Sequence, residues 1–516
     1  EEDRDTSTTE NSVQPMDVDV KDDQHQEKMQ EETPVATVTS THITDKRFAD
    51  LQISSQSKRA MKEIFKYEFM TVVQAETLPT ILQGNDCLAR AKTGTGKTLG
   101  FLIPAVEFLR KQHSNRNDIE CLILSPTREL AFQIQTEAKS LTQFHNLKSV
   151  AFVGGTSISK DHRALKDTLD ILVATPGRLL DHLQNGLAQR LHNMKVLIFD
   201  ECDQLLDQGF RPDIMRILNL LNPSKDQRQT LLFSATVPDS VSEIADLALK
   251  SDYSYIDTVG DDEDQTHLHV RQDLLVAPQA EQFHAIESIL ASEMTEGMPY
   301  KVIVFFTTAR LTGFMADLFN SVQDRLGYTV LEIHSRKSQA VRKRASDKFR
   351  TAKRAVLFSS DVSARGMDYP DVTFVLQVGL TERAQYIHRL GRTARAGKKG
   401  KGALLLAPYE EAWMRSQLKD LPLKPCPVPP RVNYALDQAL SAVSKDKELG
   451  LSAEQAYRAW LGFYNAHSKK FKWDKPTLVI HANKWSTEAG LKDLPSFQKK
   501  TIGKMGLKNV RGLRID

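Results

Sequence analysis

Two separate stretches carry residue types whose spacing suits phosphate chemistry. Ala91-Lys92-Thr93-Gly94-Thr95-Gly96-Lys97-Thr98 follows the spacing GxxxxGK[ST], except that Ala91 stands at the first glycine. Gly94 and Gly96 let the backbone turn its N–H groups inward around an anion. Lys97 can then reach the β- and γ-phosphates of a nucleotide, and the Thr98 hydroxyl can ligate Mg2+. Further on, the apolar run Val196–Phe199 ends in Asp200, Glu201, Cys202 and Asp203. Asp200 is suited to hold Mg2+ through water, and Glu201 to orient and deprotonate an attacking water. Phosphoryl transfer depends chiefly on such positioning and charge stabilisation. A Gly-rich loop alone can arise by chance, and an acidic strand end alone is an ordinary solvated terminus. Together they point to ATP hydrolysis.

These groups need a scaffold, and its pattern is legible. Between about Arg47 and Lys250, short apolar runs (Cys121–Leu124, Ile171–Ala174, Val196–Phe199, Thr230–Phe233) alternate with amphipathic stretches. Runs of this length bounded by polar turns suit strands buried on both faces of a parallel sheet. Leu99–Val106 reads as a helix whose N-terminal dipole would face the phosphates. The pattern restarts after the acidic stretch Gly260–Thr266, with Val302–Phe306, Ala355–Phe358, Thr373–Gln377 and Gly402–Leu406. Two α/β units joined by a flexible linker follow, and the proline-rich passage Leu421–Val432 closes the second. The expected divisions are 1–46 tail, 47–255 first unit, 256–275 linker, 276–420 second unit and 421–516 extension.

The extension reads as helical. Ser452 with Gln455 makes a capping box, and Tyr457, Trp460, Leu461 and Tyr464 follow at helical spacing as a face for a neighbouring domain. Next, Lys469, Lys470, Phe471, Lys472, Trp473 and Lys475 interleave basic and aromatic residues. That pattern serves single-stranded nucleic acid, or equally aromatics buried beneath outward-reaching lysines.

The chain has 516 residues, enough for two large domains with extensions, and a formal net charge of +3. The charge is unevenly spread. Residues 1–44 hold 12 Asp/Glu against 3 Lys/Arg, and this polar start, almost without aromatics, is expected to be disordered. Residues 411–516 hold 19 Lys/Arg against 10 Asp/Glu, a candidate polyanion surface that a solvated face would also explain. Four scattered cysteines argue against a disulfide framework or zinc site and for a reducing compartment. No apolar run approaches the length of a membrane span. Since the first residue is Glu1, an upstream segment is expected. Mitochondrion or plastid, nucleus and cytoplasm all remain open.

Asp200–Asp203 (DECD) with Ala91–Thr98 (AKTGTGKT) resembles the DEAD-box family of ATP-dependent RNA helicases. Further motifs follow in the family's order: Pro126–Ala131 (PTRELA), Gly154-Gly155, Thr175–Arg178 (TPGR), Ser234–Thr236 (SAT), Asp361–Asp368 (DVSARGMD) and His388–Arg395 (HRLGRTAR). The set spans roughly Phe48 to Leu406. It implies two tandem RecA-like domains with parallel sheets, flanked by a disordered acidic N-terminus and a mainly helical C-terminal extension. Asp203–Phe210, Thr71–Gln74 and Thr501–Leu513 look most like the family's mitochondrial RNA-chaperone branch and its plant relatives.

The resemblance also implies roles. Phe48, Tyr67 and Gln74 would read adenine, although Met70 stands where a proline is common. Arg392 and Arg395 would reach the γ-phosphate from the second unit, Asp368 would hold the ribose, and Gly366 would allow close backbone approach. Ser234, Thr236 and His388 would couple nucleotide state to domain closure. RNA contacts would fall to Pro126, Thr127, Arg128, Gly154, Gly155, Thr175, Pro176, Gly177 and Arg178, and across the cleft to Thr307, Gln339 and Arg342. Such contacts to phosphate and sugar give weak sequence specificity. Cys202 replaces the family's alanine and reads as a small buried thiol; Ser335 replaces a common glycine. The implied activity is RNA-stimulated ATP hydrolysis driving local, non-processive unwinding, with an ATP-gated clamp or scaffold as the alternative. RNA, ATP and Mg2+ are the expected ligands and protein cofactors the further expected partners. A monomer without membrane attachment is the expected state.

Overall fold

The computed structural model describes residues 43–92, 94–111, 118–222, 224–259, 270–294, 297–361, 369–394 and 400–515. Most of the acidic tail, the stretch Gly260–Thr266, and Thr93, Gly366, Asp368 and Arg395 lie outside the described residues.

The chain enters through a small antiparallel pair, β1 (Ile43–Arg47) with β2 (Phe69–Thr71), so part of the expected tail is strand. Seven parallel strands follow: β3 (Cys87–Arg90), β4 (Cys121–Leu124), β5 (Ser149–Phe152), β6 (Ile171–Ala174), β7 (Val196–Phe199), β8 (Gln229–Ser234) and β9 (Ser254–Asp257). Their order is β5-β6-β4-β7-β8-β3-β9. Sheet position explains composition. The four runs read as doubly buried strands occupy adjacent interior positions and are buried throughout, while the edges β5 and β9 are partly exposed. Because every strand runs the same way, the segments after β3 to β8 leave from one edge of the sheet. All six motifs of the first unit therefore gather there.

The second unit repeats the plan with β10 (Arg271–Val276), β11 (Tyr300–Phe305), β12 (Val330–Ile333), β13 (Arg354–Ser359), β14 (Phe374–Val378), β15 (Lys401–Leu406) and β16 (Leu423–Pro425), in the order β12-β13-β11-β14-β15-β10-β16. Two of these strands fall outside the expected unit. β10 lies in the stretch read as linker because it carries polar side chains that are nonetheless buried. Gln272 accepts from Tyr386 Oη at 2.9 Å, and Asp273 pairs with Lys401 at 3.2 Å and with Arg271 at 3.1 Å. β16 lies in the proline-rich passage; as an edge strand on β10 it tolerates Pro425, which has no N–H to give a further neighbour.

The extension consists of helices Ala435–Val443, Lys447–His467, Lys475–Glu488 and Lys499–Lys504, with two short paired strands, β17 (Ser496–Phe497) and β18 (Arg514–Ile515). The expected apolar face holds: Tyr457, Trp460, Leu461 and Tyr464 are buried in one core with Phe314 and Leu318 of the second unit. The capping box does not. Asp446 caps the long helix, accepting from Glu448 N and Leu449 N, both at 2.9 Å, whereas Ser452 sits inside it and donates to Asp317. An acid six residues upstream offered the stronger cap. The basic-aromatic run resolves in favour of packing. Trp473 lies 4.7 Å from Tyr409 and stacks at 4.3 Å on His481, and Phe471 lies 5.7 Å from Tyr409. Lys470 covers Trp413 at 3.9 Å and pairs with Glu382 at 2.7 Å; Lys469 and Lys472 remain exposed. Among the described residues no helix is long and apolar enough to cross a membrane.

Glu410 fixes the junction between second unit and extension. It is fully buried, accepts from Tyr464 Oη at 2.5 Å and from Ala407 N at 2.8 Å, and burial pushes its carboxyl up to about 7. A proton bound more tightly in the folded than in the unfolded state stabilises the fold below the unfolded pKa. That contribution is lost as pH rises through the folded value. Stability should therefore fall by about 3 kcal/mol between roughly pH 4.5 and 7 from this group, and Glu410→Gln should remove that part of the slope. Urea titrations of both proteins across this range check it; an identical pH dependence would refute the assignment.

Candidate active site and nucleic-acid groove

The phosphate loop leaves β3 with Ala91, whose N–H donates to Ser234 O at 2.9 Å and ties the loop to the end of β8. Gly94 and Gly96 take φ of 80° and 87°, the left-handed region that side chains disfavour. Gly96 is also crowded, since a Cβ there would lie 2.7 Å from Gln74 Nε2. Gln74 is buried and locked at both ends of its amide. Nε2 donates to Gly96 O at 3.0 Å, and Oε1 accepts from Thr71 N at 2.9 Å within a capping box that starts the helix Val72–Leu82. The expected adenine-reading glutamine thus braces the phosphate loop directly. Phe48 is buried, its N–H bonded to Glu68 O one residue beyond the half-buried Tyr67.

Lys97 opens the helix Lys97–Lys111, and its Nζ lies 3.5 Å from Glu201 Oε1, both side chains almost fully buried. Burial opposes the charge on Lys97, but Glu201, Asp200 and Asp203 outweigh it and hold the ammonium above its ordinary value. Asp200 is pushed up to about 7 by burial, against the pull of Lys97. Asp200 Oδ1 and Glu201 Oε2 are buried without a hydrogen-bond partner among the described residues. Glu201 itself takes φ 52°, a conformation that costs a non-glycine residue of order 1 kcal/mol and is kept where geometry demands it. Asp203 Oδ2 accepts from Thr236 Oγ1 at 2.9 Å and Thr236 N at 3.1 Å, and its N–H donates to Ser234 Oγ at 3.1 Å. The SAT segment is therefore bonded to the acidic cluster. Cys202 is wholly buried and its thiol is raised by desolvation, the state of a packing group.

The edges of the two units face each other across a cleft of about 770 Å3. Its first wall includes Pro126, Thr127, Arg128, Gly154, Thr175, Gly177 and Arg178, seven of the nine residues expected on RNA from this unit. Arg128 lies against the glycine pair so closely that a Cβ on Gly155, itself at φ 76°, would sit 2.2 Å from Nη1. Thr175 Oγ1 accepts from Gly154 N at 3.3 Å. Arg178 is tied down, donating to Asp161 Oδ2 at 2.5 Å and Thr156 O at 2.8 Å, and Asp161 also meets His182 at 3.0 Å.

The second wall carries a contact beyond those expected. Arg342 lines the cleft, but it pairs with Glu129 of the first unit at 2.5 Å, and Gln339 donates to the same carboxylate at 3.0 Å. Both residues thus join the two units. Thr307 lines a second, smaller pocket with Gly379, Trp460 and Tyr464 at the junction with the extension. His388 and Arg392 are buried in the second unit, with Arg392 Nε donating to His388 O at 3.3 Å. Sequence reasoning missed Glu129, which stands inside PTRELA but reads as an ordinary acid in a first helical turn. It also missed Arg389, buried against Asp361 and over the Phe305 ring at 5.3 Å. Gln204, Asp207, Gln208 and Phe210, from the stretch Asp203–Phe210 noted only for its branch resemblance, also line the cleft.

The comparisons agree with this geometry. The model of the "DEAD/DEAH box helicase" family matches residues 71–244, and that of the "Helicase conserved C-terminal domain" matches residues 281–397. DEAD-box ATP-dependent RNA helicase 25 of Oryza sativa subsp. japonica is 46% identical over 490 residues, covering 92% of this chain and 80% of that protein. Helicase 26 of the same organism is 46% identical over 489 residues, covering 93% and 88%. Among solved structures, Mss116p bound to ssRNA and AMP-PNP aligns with a TM-score of 0.77 at 29% identity, covering 90% of this chain and 95% of that one.

The Glu129 bridge yields a direct test. Glu129→Gln leaves a guanidinium buried without its charge partner, and breaking such a pair costs about 3–5 kcal/mol. Nucleotide affinity of the first unit should be unchanged while polynucleotide-stimulated turnover falls at least about tenfold. The double variant Glu129→Gln/Arg342→Gln should recover part of the loss. Equal turnover in wild type and single variant would sink the bridge as a closure contact.

Proposed function

The chain belongs to the DEAD-box family of ATP-dependent RNA helicases, and from that premise we propose that it remodels RNA by closing its two units over a strand held in the cleft. The observation that carries this reading is the bridge from Glu129 to Gln339 and Arg342, which spans the cleft beside the residues suited to phosphate contact. ATP hydrolysis and RNA unwinding are the activity of the family. The assignment of roles to residues is ours.

Lys97 neutralises the β- and γ-phosphates, and the N–H groups around Gly94 and Gly96 bind their oxygens. Glu201 orients and deprotonates the attacking water, with its carboxylate positioned by the left-handed turn at φ 52°. The two unpartnered oxygens of Asp200 and Glu201, hard anionic donors beside the phosphate loop, suit Mg2+. Asp200 and the Thr98 hydroxyl would hold that ion, which would supply neutralisation of phosphate charge. Arg392 and Arg395 stabilise the charge of the transferring group from the second unit, a contribution of about 10³–10⁵ in rate for such arginines. Gln74 selects adenine while bracing Gly96, so base recognition and phosphate geometry are mechanically one element. Asp203, Ser234, Thr236 and His388 transmit the state of the phosphates to the cleft.

RNA enters by its backbone. Thr127, Arg128 and Thr175 offer hydroxyl and guanidinium donors, which position a strand without reading its bases. The active state is a monomer, and strand specificity is weak. Lys97→Ala should abolish productive ATP binding, and Glu201→Gln should retain ATP and RNA together without turnover. Displacement of a short duplex, followed with labelled strands, separates remodelling from a clamp. Long-lived RNA retention by the wild type with no displacement would overturn the helicase mechanism, and normal turnover by either variant would overturn the residue roles.

A further inference from the structure

The helix Gln339–Thr351 begins at the cleft, where Arg342 meets Glu129, and runs away from it. Between Arg336 and Arg354 the chain carries nine Lys/Arg and a single acid, Asp347, against a net charge of +3 for the whole protein. The apolar and bonded positions of this helix, Arg342, Ser346 and Phe349, face inward. Lys343 and Arg344 are exposed side by side with Lys348 about one turn on, and Lys353 and Arg354 continue the exposed series beyond the helix end. Asp347, the only acid on this face, is engaged by Arg350 at 3.4 Å. Lys343, Arg344, Lys348 and Lys353 have no ion pair among the described residues, so their charges are left to solvent or to a ligand.

A stripe of uncompensated cations costs self-repulsion unless an anion offsets it. This stripe starts at the cleft lining, with Ser335 and Arg342, and the step from the Lys343-Arg344 pair to Lys348 is about 6–8 Å along the helix rise, suited to successive phosphates. We propose that the outward face formed by Lys343, Arg344, Lys348, Lys353 and Arg354 is a second binding track for RNA, taking the strand that leaves the cleft. The proposal rests on the reading of the cleft as an RNA site and deepens it. The track neutralises backbone charge, is indifferent to sequence, and lengthens the footprint on RNA beyond the nucleotides clamped between the units.

The test compares two RNAs of single-stranded homopolymer, one of about six nucleotides to occupy the cleft alone and one of about twenty. Binding is followed by fluorescence anisotropy with a non-hydrolysable ATP analogue present. In the full chain carrying Lys343→Glu, Arg344→Glu and Lys348→Glu, affinity for the short RNA should stay within about twofold of wild type. Affinity for the long RNA should fall roughly tenfold to a hundredfold at about 0.1 M salt, and its log–log salt slope should shrink by about 2, at about 0.7 per lost phosphate contact. The charge-neutral triple Lys343→Gln/Arg344→Gln/Lys348→Gln should show the same pattern with a smaller loss. ATPase stimulation by the short RNA reports that both variants are folded. An unchanged slope with the long RNA overturns the track, including the case in which the stripe serves an acidic protein instead. Equal losses with both RNAs would also overturn it, by placing the effect in the cleft. Failure of the wild type to bind either RNA would refute the cleft reading itself.

Discussion

Parallel strands have one carboxyl edge, and this constraint organises the whole molecule. A sheet whose strands all run the same way must return each strand through a crossover, so every functional loop emerges on the same side. In the first unit that edge collects the phosphate loop, the acidic cluster and four short polar motifs that lie far apart in the chain. The second unit presents its own edge to the same cleft. The chemistry is then a matter of which side chains stand at the two edges and what holds the edges together.

What holds them is polar and therefore reversible. Glu129 takes both Gln339 and Arg342, yet Glu129 Oε2, Arg342 Nε and Gln339 Oε1 are buried without hydrogen-bond partners. Buried polar groups that are only partly satisfied make an interface conditional on other contacts, whereas an apolar seam would be permanent. Two linkages inside the first unit are fuller. Gln74 bonds at both ends of its amide, to Thr71 and Gly96, and Asp203 accepts twice from Thr236. Rigid halves with a conditional seam suit an enzyme whose turnover depends on opening and closing.

The sequence displayed the interior strands plainly, because a strand buried on both faces is apolar at consecutive positions. It concealed β10 and β16, whose polar or proline residues are accommodated by partners distant in the chain: Tyr386 and Lys401 for β10, and an edge position for β16. The ATP-site residues of the first unit were legible since glycine spacing and adjacent acids encode local geometry. Gln339 and Arg342 were legible as important but not in their partner, since nothing local to the motif Q-x-x-R records an acid 210 positions away. The neighbours of Thr307 were hidden for the same reason. Its surroundings are set by Trp460 and Tyr464 of the extension, which no spacing rule connects to it. The basic-aromatic run at Lys469–Lys475 illustrates a true ambiguity, because interleaving is common to a stacking platform and to a packed face, and only the contacts of Trp473 and Phe471 decide.

The buried carboxylate of Glu410 has a further consequence for how the chain could be divided. Tyr464 supplies one of its hydrogen bonds, and the same core runs without a break from β11 to the helix Lys475–Glu488. The second sheet and the helices after it are therefore one heritable body. A recombination point that produced a viable chimera would fall before β10, not between β15 and the helices that follow.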